Sequence, residues 1–222
     1  MPNRKNNVQR VAHPLTRKLL RDAEFCRDAK RRVDAAQQIV ERLPRTTRDI
    51  ELLLSATPHA LSREVQYSLL NMLDFTTLRL AHVKRLLPAV LSLLYNIKSP
   101  TAFLWMKSGC LLGDGFLNSA DSVTRQRIVS ELLLVLRTAK SRHARKGALH
   151  GVEHALDTAT VREGKQMLDA VRQVATEDRS IALRRTAFRL LRDGRWWGNG
   201  GLPALHQYAR GLGKSLRVND YY

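Results

Sequence analysis

Two hundred and twenty-two residues carry 38 Lys and Arg against 20 Asp and Glu, a formal net charge of +18, and 44% of them are apolar. That composition excludes wholesale disorder, and aromatics at 6% argue against a β-sandwich or barrel. The longest apolar stretch, residues 86–97, contains Pro88 and Ser92 and is too short to cross a bilayer, so no membrane partner is expected.

Residues 1–12 are expected to form a basic, flexible arm, because the chain to Arg21 lacks acidic residues and an apolar signal core. Phe25, Ala29, Val33, Ala36, Val40 and Leu43 share one stripe and predict a long amphipathic capping helix stopped before Pro44. Cys26 and Cys110 show no metal-ligand spacing. They read as buried thiols of a reducing compartment, the cytoplasm or another such space.

From residue 45 onward the sequence repeats. Four segments superpose at steps of 39, 40 and 39 residues. Val65, Leu104, Ala144 and Leu183 begin the first column, and Gln66, Trp105, Arg145 and Arg184 follow one residue later. Leu69, Ser108, Ala148 and Ala187 form a third column, with Leu73, Leu112, Val152 and Leu191 a fourth. The i, i+4, i+8 spacing is one face of an α-helix. Ser62, Thr101, Ser141 and Ser180 stand where N-caps belong, with Ser99-Pro100 an alternative in the second unit. A second helix precedes each, marked by Ile50-Leu53-Leu54, Val90-Leu93-Leu94, Val129-Leu133-Leu134 and Leu168-Val171-Val174.

The expected unit is a helical hairpin of about 40 residues that must stack on its neighbours to bury both apolar faces. One domain is expected over 13–212, with units near 45–75, 76–118, 119–158 and 159–193, a C-terminal cap over 194–212 and a tail over 213–222. Residues 86–94 (LLPAVLSLL), with their proline, resemble the first helix of a HEAT repeat. Residues 144–148 and 183–187 resemble the apolar-Arg-x-x-Ala opening of its second helix. The resemblance spans roughly residues 45–193. It implies an all-α, right-handed solenoid whose second helices line a concave surface.

Arg142, Lys146 and His150 form one titratable stripe, and Arg185, Arg189 and Arg192 another, with Arg145 and Arg184 at the edge. Residues 51–100 contribute only +2 to the charge, from 5 basic and 3 acidic side chains. Phosphates would suit such ridges. The expectation is therefore a non-catalytic helical-repeat module that binds nucleic acid, DNA or RNA, through Arg142, Arg145, Lys146, Arg184, Arg185 and Arg189, with Trp105 stacking on a base. The alternative is a scaffold for an acidic protein partner or an assembly.

A third reading follows from resemblance to HEAT-like alkylpurine DNA glycosylases, which are all-helical and basic. That family implies an Asp one turn from a groove Trp. Here Gly109 stands one turn after Trp105, and the nearest acid is Asp114.

Residues 150–154 (HGVEH) match an inverse zinc-protease pattern, and His143 falls on the same side of the helical wheel. No distal ligand is evident, so no catalytic residue, cofactor or metal is expected. Gly213-Lys214-Ser215 lacks the first glycine of a phosphate loop, since residue 208 is Tyr. Trp196-Trp197 reads as the seal of the stack.

Overall fold

The computed structural model describes residues 14–41, 70, 73, 78–95, 102–194 and 201–216. The chain divides into two compact units, 1–72 and 73–222. The arm over 1–12, the hairpin expected over 45–75 apart from Leu70 and Leu73, and Trp196-Trp197 lie outside the described residues.

Every described element is helical. In the first unit, α1 (Pro14–Phe25) packs on α2 (Ala29–Glu41), and Leu19, Ala23, Ala35 and Ala36 on these helices are buried. The single long helix expected from Phe25 is broken at residues 26–28. Asp28 Oδ1 accepts from the Lys30 amide at 2.9 Å, which starts a new helix there. Phe25 and Val33, expected on a buried stripe, are 69% and 49% exposed.

The second unit is an array of hairpins. Its helices are α3 (Leu80–Tyr95), α4 (Ala102–Leu111), α5 (Ser122–Thr138), α6 (Arg142–Ala155), α7 (Val161–Glu177), α8 (Ile181–Asp193) and α9 (Pro203–Lys214). After α4 the chain passes through one π-helical turn, Leu112–Phe116, and a last α-helical turn, Leu117–Ser119. Hairpin partners pack as α3 on α4, α5 on α6 and α7 on α8. First helices also stack on first helices (α3, α5, α7) and second on second (α4, α6, α8), while α9 closes the end over α7 and α8. This is the all-α solenoid read from the repeat.

Local chemistry sets the boundaries. Asp121 caps α5 by accepting from the Thr124 amide at 2.8 Å, and Ser141 caps α6 from the Ala144 amide. Thr160 and Glu163 form a reciprocal capping box on α7. Gly194 ends α8 at φ 54°, a left-handed conformation that glycine adopts without strain. Ser180 precedes α8 as expected, but its hydroxyl makes no capping bond. The helix α9 runs through Lys214, two residues beyond the expected cap.

The repeat columns are the core. Ala144 and Leu183, Ser108, Ala148 and Ala187, and Leu73, Leu112, Val152 and Leu191 are all buried. Among first-helix residues, Val90, Leu93, Leu94, Val129, Leu168, Val171 and Val174 are buried too. Leu134 is the exception, 50% exposed, and Leu132 and Leu136 fill the core instead. Each large apolar side chain so buried contributes about 1.5–3 kcal/mol relative to exposure.

One crossing is tighter than the rest. A Cβ on Gly109 would lie 1.9 Å from the carbonyl oxygen of Gly147, and one on Gly113 would lie 2.0 Å from that of Gly151. Conversely, a Cβ on Gly147 would meet the Trp105 carbonyl oxygen at 2.3 Å. Two glycines spaced four apart on each chain segment thus bring α4 and its π-helical extension into backbone contact with α6.

Gly147→Ala should gain up to about 1 kcal/mol of helix propensity. It should nevertheless lose about 2–3 kcal/mol net in urea unfolding, because a backbone carbonyl cannot move aside as a side chain can. Gly211→Ala, with nothing within 4 Å of the new methyl, should instead stabilise by about 0.5–1 kcal/mol.

Candidate functional site

The expected basic residues divide into two groups. Arg142, Lys146, Arg185 and Arg189 are exposed on α6 and α8. Arg145 is not: it is 4% exposed. Its Nε donates to Asp178 Oδ2 at 2.6 Å and its Nη2 to Oδ1 at 3.0 Å, a two-pronged pair with both side chains 5% exposed. Its Nη1 donates to the Ala139 and Lys140 carbonyls at 2.8 and 3.1 Å. The guanidinium expected to face a phosphate is committed inside the fold.

Arg184 is half-buried, and its Nη1 donates to the Asp178 carbonyl at 2.9 Å. The two arginines share one role. Each is the fourth residue of a second helix and reaches back to a carbonyl six residues earlier, in the turn that enters that helix. Arg32, fourth residue of α2, does the same to the Cys26 carbonyl at 2.9 Å. The repeated Arg is therefore a clamp on the hairpin turn. Burial pushes the Asp178 carboxyl up, but the Arg145 hydrogen bonds, the Ser180 amide and the charges of Arg145 and Arg179 outweigh burial and hold it below 3.8.

Trp105 is also inside, 3% exposed, and its ring stacks on His143 with centroids 4.9 Å apart and planes 9° from parallel. It presents no face to a nucleobase. Gly109, one turn on, touches α6, while Asp114 is exposed and accepts from Asn118 Nδ2 at 2.6 Å. The exposed tryptophan with a neighbouring acid that a glycosylase groove implies is not what α4 presents. Arg192, the last of the expected stripe, pairs with Asp193 and lies over the Phe188 ring.

The glycine crossing assembles a second constellation. Cys110 on α4 and His150 and His154 on α6 have ligand atoms that all lie within 4.8 Å of one another. Cys110 is buried and the two histidines are half-buried, with rings in an edge-on contact at 5.3 Å. His150 Nδ1 is 2.8 Å from Glu153 Oε2.

Burial raises the Cys110 thiol, but hydrogen bonds and charge from His150 and His154 more than offset this and bring it down to about 7. Hydrogen bonds to Cys110 and Glu153 push His150 up to about 9 against burial. For His154 burial acts downward, yet the Cys110 hydrogen bond and charge, with the charge of Asp114, leave it raised.

His143, expected beside these histidines, belongs to the Trp105 stack instead. Cys110, the partner that the sequence pattern lacked, stands 40 residues before His150, in the same repeat column.

No family model matches the chain, and no curated protein matches it. Solved structures of helical repeats do resemble it at 12% identity. A designed armadillo repeat protein, YIII(Dq.V1)4CPAF, in complex with peptide (KR)4 aligns over 90% of this chain and 88% of that one at a TM-score of 0.44. A computationally designed armadillo repeat protein for modular peptide recognition aligns over 88% and 87% at 0.41, and a third, YIII(Dq)4CqI, over 88% and 87% at 0.43.

The Asp178 carboxyl is held below its unfolded value, so its stabilisation is complete above about pH 4 and is lost as the pH falls through the folded value. Arg145→Met strands that carboxylate and should cost about 3–5 kcal/mol at neutral pH. With burial then opposed only by the Ser180 amide and the Arg179 charge, the loss of stability between about pH 5 and about pH 3 should shrink relative to the parent. Urea unfolding at both pH values checks this.

Proposed function

We propose that the second unit is a non-catalytic helical-repeat binding module that engages nucleic acid through the phosphates, using Arg142, Lys146, Arg185 and Arg189. The observation that carries this reading is the division of labour among the cations. Arg145 is consumed by the fold and Arg184 is tied to its turn, whereas these four are exposed on stacked second helices. Arg142, Lys146 and Arg189 make no ion pair among the described residues.

Lys146 and Arg185 hold the same place in consecutive repeats. Within each ridge the cations stand one turn apart, about 5–6 Å between Cβ atoms. Stacked helices separate the ridges by about 8–10 Å. A polyanion with several phosphates meets more than one cation at once, and each contact releases counterions. A chain at +18 supplies long-range attraction toward the same class of ligand.

The test is fluorescence anisotropy of labelled duplex and single-stranded oligonucleotides across a salt series. Affinity should fall steeply with salt. Replacing all four cations by Ala should reduce the magnitude of the log K against log salt slope by about 3, at 0.7–0.9 for each lost phosphate contact. An unchanged slope refutes the assignment. Capture of an acidic protein that survives nuclease and high salt, with no oligonucleotide binding, replaces the nucleic-acid reading with a protein scaffold.

A further inference from the structure

We infer that Cys110, His150 and His154 form a zinc-class metal site that ties α4 to α6, with a thiolate and two imidazole nitrogens as ligands. The site adjoins the basic ridge, since His150 continues the Arg142 and Lys146 stripe, but it rests on none of the ridge cations. One sulfur and two nitrogens suit borderline-soft zinc and exclude calcium and magnesium, which require oxygen.

With metal–sulfur and metal–nitrogen bonds of about 2.3 and 2.0–2.1 Å, tetrahedral donors stand roughly 3.3–3.6 Å apart. The three donor atoms already lie within 4.8 Å of one another. Rotamer shifts of up to about 1.5 Å close the remainder, and the glycine crossing fixes the backbones from which they project.

The surrounding groups fit as well. Glu153 Oε2 takes the Nδ1 side of His150 at 2.8 Å, leaving Nε2 as the ligand atom. A carboxylate that orients a histidine in this way is the usual partner of a zinc-bound imidazole. Lys146, one turn before His150, is exposed, and its long stem lets the ammonium stay in solvent away from the metal. Val152, between the two histidines, is fully buried in the core and lends the helix its fixed rotation. Burial of Cys110 at 6% exposure favours a ligand over a nucleophile, which needs an approach path. Three protein ligands leave the fourth position of a tetrahedral ion to water or an incoming group.

The full chain, stripped with chelator, would be titrated with Zn2+ alone by calorimetry and with Co2+ by absorption. One ion per chain is expected, with a thiolate-to-cobalt charge-transfer band and d–d absorption of tetrahedral intensity. Cys110→Ala should abolish the charge-transfer band. Glu153→Gln should weaken zinc binding by about 10–100-fold. His143→Gln, altered at the Trp105 stack, should bind as the parent does. Far-ultraviolet circular dichroism would establish that each variant keeps its helices. Zero stoichiometry, a cobalt spectrum without thiolate charge transfer, or binding indifferent to both Cys110→Ala and His154→Gln overturns the site. The unmodified chain alone decides the spectral point if a variant fails to fold.

Discussion

Backbone contact between α4 and α6 is the constraint on which the rest of the second unit turns. Gly109 and Gly113 face Gly147 and Gly151 so closely that any side chain would overlap a carbonyl. Three consequences follow. Trp105 is drawn into the interface and stacks on His143. Cys110 is carried to His150 and His154. The far side of α6 is then turned outward, which leaves Arg142 and Lys146 in solvent. The π-helical turn at 112–116 begins two residues after Cys110, and such turns accompany functional positions often enough to be consistent with a site there.

The second organising device is the arginine at the fourth position of a second helix. Arg32, Arg145 and Arg184 each return to a carbonyl six residues earlier. This satisfies a turn oxygen that two packed helices would otherwise crowd. In α6 the same guanidinium also reaches Asp178 of the next hairpin, so it links units as well as closing its own turn. Polar links at about the repeat interval recur elsewhere. Lys84 pairs with Asp121, Arg125 with Glu163, and Tyr208 donates to Asp169. Apolar stacking supplies the bulk of the stability, and these links set the register between neighbours.

Much of the fold was legible in the sequence because hairpin stacking imposes one period on every column. The buried columns at Ala144, Ala148 and Val152 and at Leu183, Ala187 and Leu191 are direct images of it. The break at Cys26–Asp28 was not legible from apolar spacing, although Arg32 with Ala35 is the same Arg-x-x-Ala opening found at Arg145 and Arg184. Polarity alone misassigned Arg145, since an arginine in a charged helix reads as solvated until its carboxylate partner, 33 residues on, is placed. The metal-type cluster needed tertiary contact. His150 and His154 signal each other at i, i+4, but the cysteine lies on another helix, and only its shared repeat column with His150 hinted at proximity.

Glycine-mediated backbone contact between α4 and α6 can be measured directly in solution. With glycine selectively labelled, nuclear Overhauser spectra would report on pairs of Hα protons across the crossing. Cross-peaks linking Gly109 to Gly147 and Gly151 are expected. Glycines that show only intrahelical neighbours would place α4 and α6 at ordinary packing distance and contradict the account.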